Sequence, residues 1–296
     1  MGQDPDILCI GAVLWDIIGR CDTAMVLGND RPGEITRVPG GVALNIAMTL
    51  KRFGLRPSLL SVVGEDAEGH QLRAACSEMG LDVAHMLVDA RLPTDRYMAI
   101  EAQGALIAAI AHAQSLEDAG ARILLPLADG RLGSDTAPWA GPVALDGNLT
   151  ESLLEEIASS PLFSRADLRV APASPGKAMR LRPLLSHPRA TFYVNREEAG
   201  LLTDTHPANA AAAAAAVLAA GARRVLVTEG AQMAVDATPQ STLSAVPPAV
   251  EARRITGAGD TFMAAHIASE TAGNPREIAL NAAVQAAATY VSGDTP

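Results

Sequence analysis

The residues best suited to chemistry lie in the run Thr256-Gly257-Ala258-Gly259-Asp260, where two glycines flank a small residue and a carboxylate follows. An apolar segment of helical type comes next, so the backbone N–H groups of residues 257–260 can converge at a helix N-terminus and hold an anion. Asp260 is then placed to take a proton from a hydroxyl while these N–H groups hold a phosphoryl group in transfer. The alternative is a simple helix cap, because aspartate is a favoured capping residue and short glycine motifs are common.

A second group of candidate residues lies near the N-terminus. Asp16 follows the apolar run 7–11, which is typical of a buried parallel strand that ends in glycine. Ligands bind at the carboxyl ends of such strands, so Asp16 either accepts hydrogen bonds from a polyol or bonds its own turn. Gly40 and Gly41 open an apolar helical run in which Asn45 is a polar exception. A buried amide needs partners, and a ligand hydroxyl or a loop carbonyl would each serve.

Strand and helix patterns alternate along most of the chain. Further strands are predicted over residues 59–64, 143–146, 168–171, 191–194 and 224–228, with weaker β character over 241–245. Helices are predicted over residues 69–79, 151–159, 179–185, 196–202, 207–220, 259–272 and 276–291. A hairpin over residues 97–110, turning at Gly104, interrupts this order. The repeated βα units predict a parallel sheet that is covered by helices on both faces.

Composition excludes several classes of protein. The 296 residues carry a formal net charge of −10, and no Lys/Arg cluster accompanies aromatic residues, which argues against a nucleic-acid polymer as partner. No uninterrupted apolar run reaches transmembrane length, so no membrane partner is expected. The start lacks the basic segment of a signal peptide and the three cysteines show no metal-type spacing, which together predict a cytoplasmic protein. A dinucleotide-dependent oxidoreductase fits poorly, because no Gly-x-Gly-x-x-Gly follows the first strand.

With these features in order, the chain resembles the ribokinase-like carbohydrate kinase family, also called PfkB. The resemblance rests on four motifs: Gly40-Gly41-x-x-x-Asn45, Asn195-x-x-Glu198, Thr228-x-Gly230 and the Thr256–Asp260 run. It covers nearly the whole length and implies a single kinase domain over residues 1–296. The implied fold is an α/β fold, a three-layer α/β/α sandwich with a mainly parallel central sheet. A small β lid is implied for residues of about 12–38 and 94–113, with a possible homodimer through that lid.

The resemblance also implies a role for each motif. Asp260 is implied as the general base, and Gly257, Ala258 and Gly259 as the anion hole for the transferred phosphoryl group. The implied sugar ligands are Asp16, Gly40, Gly41 and Asn45. The implied nucleotide ligands are Asn195, Glu198, Thr228, Gly230 and Asn281. ATP is implied as co-substrate and Mg²⁺ as cofactor, with Glu198 holding the metal through water.

Within the family, residues 94–100, 146–149 and 172–177 resemble segments of pseudouridine kinases. Thr94 and Lys177 are the residues of these segments that we expect to bind substrate, and the 5′-hydroxyl of pseudouridine is the expected acceptor. Another nucleoside and a free sugar such as ribose remain alternative acceptors. A catalytically weak sensor of a nucleoside or sugar remains a further alternative on the same fold.

Three residues depart from the family pattern. His112 stands where pseudouridine kinases commonly carry an acidic residue, so it reads a different base or lies in solvent. Met233 stands in place of a glycine of the nucleotide loop, which implies a tighter loop or lower nucleotide affinity. Arg254 stands where many relatives place Asp or Asn near a monovalent cation. A guanidinium there can substitute for the cation, which predicts activity independent of potassium.

Overall fold

The computed structural model describes residues 4–103 and 105–296, and elements are numbered in chain order. The strands are β1 (Ile7–Ile10), β2 (Leu14–Cys21), β3 (Glu34–Gly40), β4 (Pro57–Leu60), β5 (Val62–Gly64), β6 (Leu87–Asp89), β7 (Arg96–Ala102), β8 (Ala105–His112), β9 (Pro142–Asp146), β10 (Asp167–Ala171), β11 (Ala190–Asn195), β12 (Arg224–Thr228), β13 (Ala234–Ala237) and β14 (Thr242–Ala245). The α-helices are α1 (Val42–Arg52), α2 (Ala67–Glu78), α3 (Gln114–Ala119), α4 (Leu125–Ala128), α5 (Glu151–Ser159), α6 (Arg196–Thr203), α7 (Ala210–Ala219), α8 (Ala258–Thr271) and α9 (Arg276–Val291).

The central sheet has the spatial order β14-β13-β12-β11-β10-β9-β1-β4. Neighbouring strands run parallel from β4 across to β12, whereas β13 and β14 join antiparallel at the other edge. Parallel neighbours need crossover connections, and the helices between the strands supply them. The carboxyl ends of β1, β9, β10, β11 and β12 therefore meet along one edge, where ligands bind in open α/β sheets.

Both faces of this sheet are covered, which gives three layers. Alternate residues of β1 show the division, because Leu8 and Ile10 pack into one buried cluster with α5 and α7. Ile7 and Cys9 pack into a second buried cluster with α1, α8 and α9. Strands buried on both faces are apolar at every position, as β1 is. The α/β/α sandwich with a mainly parallel sheet is thus confirmed.

A separate four-stranded sheet has the order β3-β2-β7-β8 and lies outside the central sheet. Its β7–β8 hairpin matches the predicted one, although Gly104, the predicted turn residue, lies outside the described residues. The family resemblance placed part of a β lid over residues 12–38, but the residue pattern predicted neither β2 nor β3 as an individual strand, because polar residues hide the alternation of β3. The action of this sheet as a lid stays a prediction, as does the single-domain division of the chain.

Some predicted element boundaries are wrong. The run 59–64 was expected to form one strand, but the chain leaves the central sheet after Leu60, and β5 pairs with β6 instead. The segment predicted as a helix over 179–185 belongs to a 3₁₀ helix, Pro175–Leu184, which contains Pro183. Two further 3₁₀ turns are Gly120–Leu124 and Pro161–Phe163. In the part of the chain that the structure describes, no helix combines the length and apolarity needed to cross a bilayer.

A largely buried charged cluster joins α8 to the central sheet. Arg169 of β10 and Arg224 of β12 both pair with Glu270 of α8, at 2.5 and 2.7 Å. Tyr193 of β11 bonds through its hydroxyl to Nδ1 of His266 at 2.9 Å, and His266 is fully buried. A buried ion pair of this kind fixes geometry, because separating its members would leave an uncompensated charge. The two ion pairs of Glu270 thereby hold the C-terminal end of α8, the end opposite the glycine motif, against the sheet.

Candidate active site

Two helix N-termini, each opened by a glycine, meet at the carboxyl edge of the sheet. Gly41 precedes α1 with φ 101°, and Gly257 precedes α8 with φ 91°, a region of backbone space that favours glycine. Nδ2 of Asn45 in α1 donates a hydrogen bond to Oδ2 of Asp260 in α8 at 3.0 Å. The structure therefore brings together two motifs that lie 215 residues apart in the chain.

Asp260 lies in an environment that suits a general base. Burial raises the pKa of its carboxyl to about 7, the hydrogen bond from Asn45 acts in the opposite direction, and the negative charges of Asp146 and Glu198 raise it further. A base works best when its pKa lies near the working pH. Asp260 as a residue is nevertheless partly exposed to solvent, so a substrate hydroxyl can approach it.

This pKa predicts a pH profile for turnover. Below about pH 7 the Asp260 carboxyl is protonated and cannot accept a proton, so kcat/KM for the acceptor should fall roughly tenfold per pH unit and level off above about pH 8. Initial rates across this range, at saturating ATP, measure it. The residual rate of D260N should show no such rise, and a profile for the unmutated enzyme that is flat from about pH 5.5 to 8.5 would contradict the assignment.

Of the three N–H groups that the family resemblance implies for an anion hole at α8, the N–H of Ala258 is already engaged in this structure. The N–H of Ala258 donates to the carbonyl of Ile255 at 3.1 Å, so it is engaged within its own turn. Thr261 donates to the carbonyl of Gly257 at 3.0 Å, which is the first bond of the helix. The N–H groups of Gly259 and Asp260 belong to the first helical turn, which offers them no acceptor within the helix. The helix dipole adds a positive potential at the same place.

Asp146 is a site residue that the sequence analysis did not single out as functional. Its fully buried carboxylate accepts hydrogen bonds from the N–H groups of Ala12, Ala43 and Asn148 at 2.9, 3.0 and 2.8 Å. It thereby ties the loop after β1 to the start of α1. A side chain at Gly11 would collide with this carboxylate, which explains the glycine there. The available signal was its position, directly after the buried run 143–145 at the carboxyl edge of a parallel strand.

The predicted sugar ligands lie together where β2 and β3 meet α1. A Cβ atom on Gly40 would collide with the carboxylate of Asp16, and one on Gly41 would collide with the carbonyl of Ala12. Both glycines are therefore required by close approach. Burial raises the pKa of Asp16 to about 6. Asp16, Gly40, Gly41 and Asn45 surround one end of α1, and their contact with a sugar stays a prediction.

Thr94 and Lys177 have protein partners in this structure. The buried Thr94 hydroxyl donates to Oδ1 of Asp66 at 2.6 Å and accepts from the N–H of Gly64 at 3.1 Å. A contact between Thr94 and a substrate would need this arrangement to change. Lys177 donates from Nζ to Oδ1 of Asn148 at 2.6 Å, and burial lowers its pKa. Lys177 thus lies beside the loop that Asp146 holds, and its substrate role stays a prediction.

The predicted nucleotide ligands are grouped at the ends of β11 and β12. Asn195 and Thr228 are partners in register on these two parallel strands. The Asn195 side chain accepts from the N–H of Glu198, and Glu198 Oε2 accepts from the N–H of Asn195, each at 2.8 Å. This capping box satisfies two donors at the start of α6. The motif therefore has a structural role, and its contact with nucleotide stays a prediction.

The remaining predicted residues lie on loops and surfaces. Gly230 follows β12 with φ 57°, a conformation that favours glycine. Asn281 is exposed on α9 and donates to the carbonyl of Glu277 at 2.9 Å. His112 is exposed at the end of β8, and Met233 is 40% exposed. The exposure of His112 favours the solvent alternative for that residue.

The residues present are compatible with magnesium held mainly by water. Burial raises the pKa of Glu198 to about 7, and a nearby cation would keep this carboxylate charged. Within residues 4–103 and 105–296, no cluster of three or more His, Cys, Asp or Glu forms an all-protein metal site. Mg²⁺ commonly binds through one or two carboxylates together with substrate phosphates and several waters. Glu198 fits that requirement.

Arg254 lies against the C-terminal end of α9. Its Nε donates to the carbonyl of Tyr290 at 2.7 Å, and its Nη2 donates to the carbonyl of Asp294. Its guanidinium carbon lies 3.8 Å from the centre of the Tyr290 ring, a cation–π contact. A permanent positive charge therefore lies close to the glycine motif.

This arrangement leads to a prediction about salts. Because Arg254 already supplies a fixed charge to these carbonyls, rates in sodium and potassium chloride of equal ionic strength should agree within about twofold. Initial rates in the two salts measure it, with a large choline salt as the control. A several-fold rise in potassium would show that the guanidinium does not replace a cation.

A family model described as pfkB family carbohydrate kinase matches residues 4–294 of this chain. The chain belongs to the pfkB family of carbohydrate kinases. Membership in this family makes it a phosphotransferase enzyme. The four motifs thus lie inside a match of nearly full length.

Relatives of this pfkB-family chain include kinases of sugars and nucleosides. The pseudouridine kinase of Escherichia coli strain K12 is 27% identical, and the alignment covers 89% of this chain and 83% of that protein. A carbohydrate kinase structure from Agrobacterium tumefaciens is 25% identical with a TM-score of 0.78, covering 96% of this chain and 89% of its own. Arabidopsis thaliana ribokinase complexed with ribose and ATP has a TM-score of 0.75 at 18% identity, over 98% of this chain and 93% of its own. The last likeness shows the ribokinase-like fold alone.

Proposed function

We propose that this enzyme transfers the γ-phosphoryl group of ATP to a hydroxyl of a ribosyl compound, with the 5′-hydroxyl of pseudouridine as the best candidate. The observation that carries the proposal is the 3.0 Å hydrogen bond from Asn45 to Asp260 where two helix N-termini meet. It joins the proposed sugar ligand to the proposed base. The similarity to a pseudouridine kinase supports this choice of acceptor.

In the proposed reaction Asp260 accepts the proton of the attacking hydroxyl. The hydroxyl oxygen forms a bond to the γ-phosphorus as the bond from that phosphorus to the β–γ bridging oxygen breaks, and ADP leaves. Asn45 and Asp16 orient the sugar, because both lie beside the start of α1. The N–H groups and dipole of the first turn of α8 stabilise negative charge on the transferred group.

Magnesium is the proposed cofactor, since it supplies charge neutralisation on the β- and γ-phosphates when bound. Glu198 would hold it through water at the start of α6. Asn195 and Thr228, opposite each other at the ends of β11 and β12, are proposed to contact the phosphates. Gly230 and Asn281 are the proposed contacts to the rest of the nucleotide.

The proposed specificity for a nucleoside depends on Lys177 and Asn148. Their 2.6 Å bond places an ammonium donor and an amide side by side near the carboxyl edge of the sheet. A uracil-type ring presents carbonyl acceptors and N–H donors, so this pair has the complementary groups. Both residues come from the segments that resemble pseudouridine kinases.

A panel of acceptors tests the proposal. ATP consumption with Mg²⁺ would be measured for pseudouridine, uridine, cytidine, adenosine, inosine, ribose and fructose 6-phosphate, with a no-acceptor control for ATP hydrolysis. We expect the highest kcat/KM for pseudouridine, well above uridine. Higher activity on ribose or another nucleoside would show that pseudouridine is the wrong acceptor, while the proposed kinase activity would stand. Binding without turnover for every compound would favour a non-catalytic sensor.

The exposed strand β8 is the proposed dimer contact. All of its described residues are exposed, including Leu106, Ile107 and Ile110 at 59, 53 and 70%. An exposed apolar edge strand favours pairing with another chain, and we propose a second copy of this enzyme. Light scattering on the purified protein, with Ile110→Lys as the comparison, tests this. A monomer at micromolar concentration would contradict it.

The proposed location is the cytoplasm. ATP is available there, and that compartment keeps thiols reduced. Cys9, Cys21 and Cys76 are free thiols in the structure. No nucleic-acid polymer is proposed as a partner.

A further inference from the structure

Tyr290, near the end of α9, touches the loop that opens the anion hole. Its hydroxyl donates to the carbonyl of Thr256 at 2.8 Å. The N–H groups of Arg253 and Arg254 both donate to the carbonyl of Val291, at 2.9 and 3.2 Å. The segment that leads into α8 is thus held along the C-terminal end of α9 by several bonds.

We propose that Tyr290 is a positioning residue of the anion hole, an inference that rests on the proposed kinase function. The carbonyl of Thr256 and the N–H of Gly257 belong to one planar peptide unit and point in opposite directions. A donor that fixes the carbonyl therefore fixes the direction of the N–H. Gly257 is the residue at the N-terminus of α8, so its N–H is directed by the Tyr290 hydroxyl.

The lack of room for a side chain at Gly257 independently supports the positioning role of Tyr290. A Cβ atom on this glycine would lie 2.6 Å from the Tyr290 hydroxyl oxygen, so the hydroxyl fills the place that a side chain would take. Gly257 also has φ 91°, which favours glycine. The absence of a side chain is what allows the phenol to approach the peptide.

Arg254 holds the phenol in this orientation. Its guanidinium stacks on the Tyr290 ring at 3.8 Å while Nε donates to the Tyr290 carbonyl at 2.7 Å. The ring is therefore restrained by a residue six positions before Asp260. The chain Arg254–Tyr290–Thr256 links the end of α9 to the peptide in front of the base.

The inference is tested with Tyr290→Phe, which removes the hydroxyl and keeps the ring on which Arg254 stacks. We expect kcat to fall roughly tenfold, the value of about one hydrogen bond, with the KM of the acceptor changed less than about threefold. Tyr193→Phe is the matched control, because its hydroxyl bonds to His266 and Arg169 in the charged cluster. This control should lower thermal stability and leave kcat near that of the unmutated enzyme.

A second readout does not depend on turnover. Inorganic phosphate would be titrated into ¹⁵N-glycine-labelled protein, and the backbone amide of Gly257 followed by NMR. We expect Tyr290→Phe to weaken the response roughly tenfold, because the N–H no longer holds its direction. An equal response in both proteins would overturn the inference, as would an unchanged kcat or a fall in kcat matched by Tyr193→Phe. If the unmutated protein turns over no acceptor but the two proteins still differ in their phosphate response, the proposed kinase function is wrong and the positioning role of Tyr290 stands.

Discussion

Replacing Asp260 with asparagine should lower kcat about 10³-fold while ATP and acceptor still bind, because a general base contributes roughly 10²–10⁴ to rate. The amide has nearly the same shape as the carboxylate. Its oxygen can still accept the hydrogen bond from Asn45, so the site geometry should survive. Steady-state rates and calorimetric binding of each substrate measure the two effects separately.

The same substitution should stabilise the protein at neutral and higher pH. The pKa of Asp260 is raised from its ordinary value of 3.8 to about 7, so between these values the unfolded chain releases a proton that the folded protein keeps. Stability contributed by this group therefore falls as pH rises through that window. D260N lacks this carboxyl and so does not lose stability by its titration. Its melting temperature should therefore exceed that of the unmutated enzyme at about pH 8, and the difference should shrink toward pH 4.

Asp118→Asn is the matched control, since Asp118 is exposed on α3. It should leave kcat unchanged. A D260N enzyme with a rate within a few-fold of the original would show that Asp260 serves as a helix cap. An unmutated protein without measurable turnover would favour the sensor alternative.

The two glycines of the anion hole should respond differently to alanine. At Gly259 a Cβ meets nothing within 4 Å, and alanine is favoured over glycine in a helix by roughly 0.5–1 kcal/mol, so Gly259→Ala should fold at least as stably. A helical Cβ tilts toward the N-terminus, which places the methyl group where the phosphoryl group would lie. We expect kcat to fall on the order of 10²-fold, as for loss of one oxyanion donor.

At Gly257, by contrast, alanine should lower both stability and activity. Its φ of 91° is strained for alanine, and its Cβ would displace the Tyr290 hydroxyl. Gly54→Ala is the control, because Gly54 has φ 88° and open space around it, at the opposite end of α1 from Asn45. Gly54→Ala should lower the melting temperature, as Gly257→Ala does, but leave kcat unchanged. A Gly259→Ala enzyme with unchanged kcat would refute the anion hole.

Local features of the chain predicted much of this fold. The runs 143–146 and 168–171, apolar except for Asp146 and Arg169, predicted their strands, because a strand buried on both faces is apolar at most positions. The last two helices were predicted within one residue of their observed bounds. A glycine precedes the first of them and a proline the second, and both residue types favour helix boundaries through local backbone geometry.

Features that depend on distant parts of the chain could not be predicted. The residue pattern of 59–64 predicts one strand. Its second half instead leaves the central sheet and pairs with β6, where Val62 lies opposite Leu87, a distant partner that no local pattern indicates. The hydrogen bond from Asn45 to Asp260 spans 215 residues. Asp146 resembles any polar residue that ends a strand, until its three N–H donors are seen. The contact of Tyr290 with Thr256 likewise has no local signature.

The most direct test of Asp260 as the general base follows the phosphorus atom. The unmutated enzyme would be incubated with Mg²⁺, pseudouridine and ATP labelled at the γ-phosphate, beside D260N, and the products separated and identified. We expect one labelled pseudouridine 5′-phosphate for each ADP formed, and almost none with D260N. Label found only in inorganic phosphate, or equal labelling of the nucleoside by D260N, would contradict the claim that Asp260 activates a ribosyl hydroxyl.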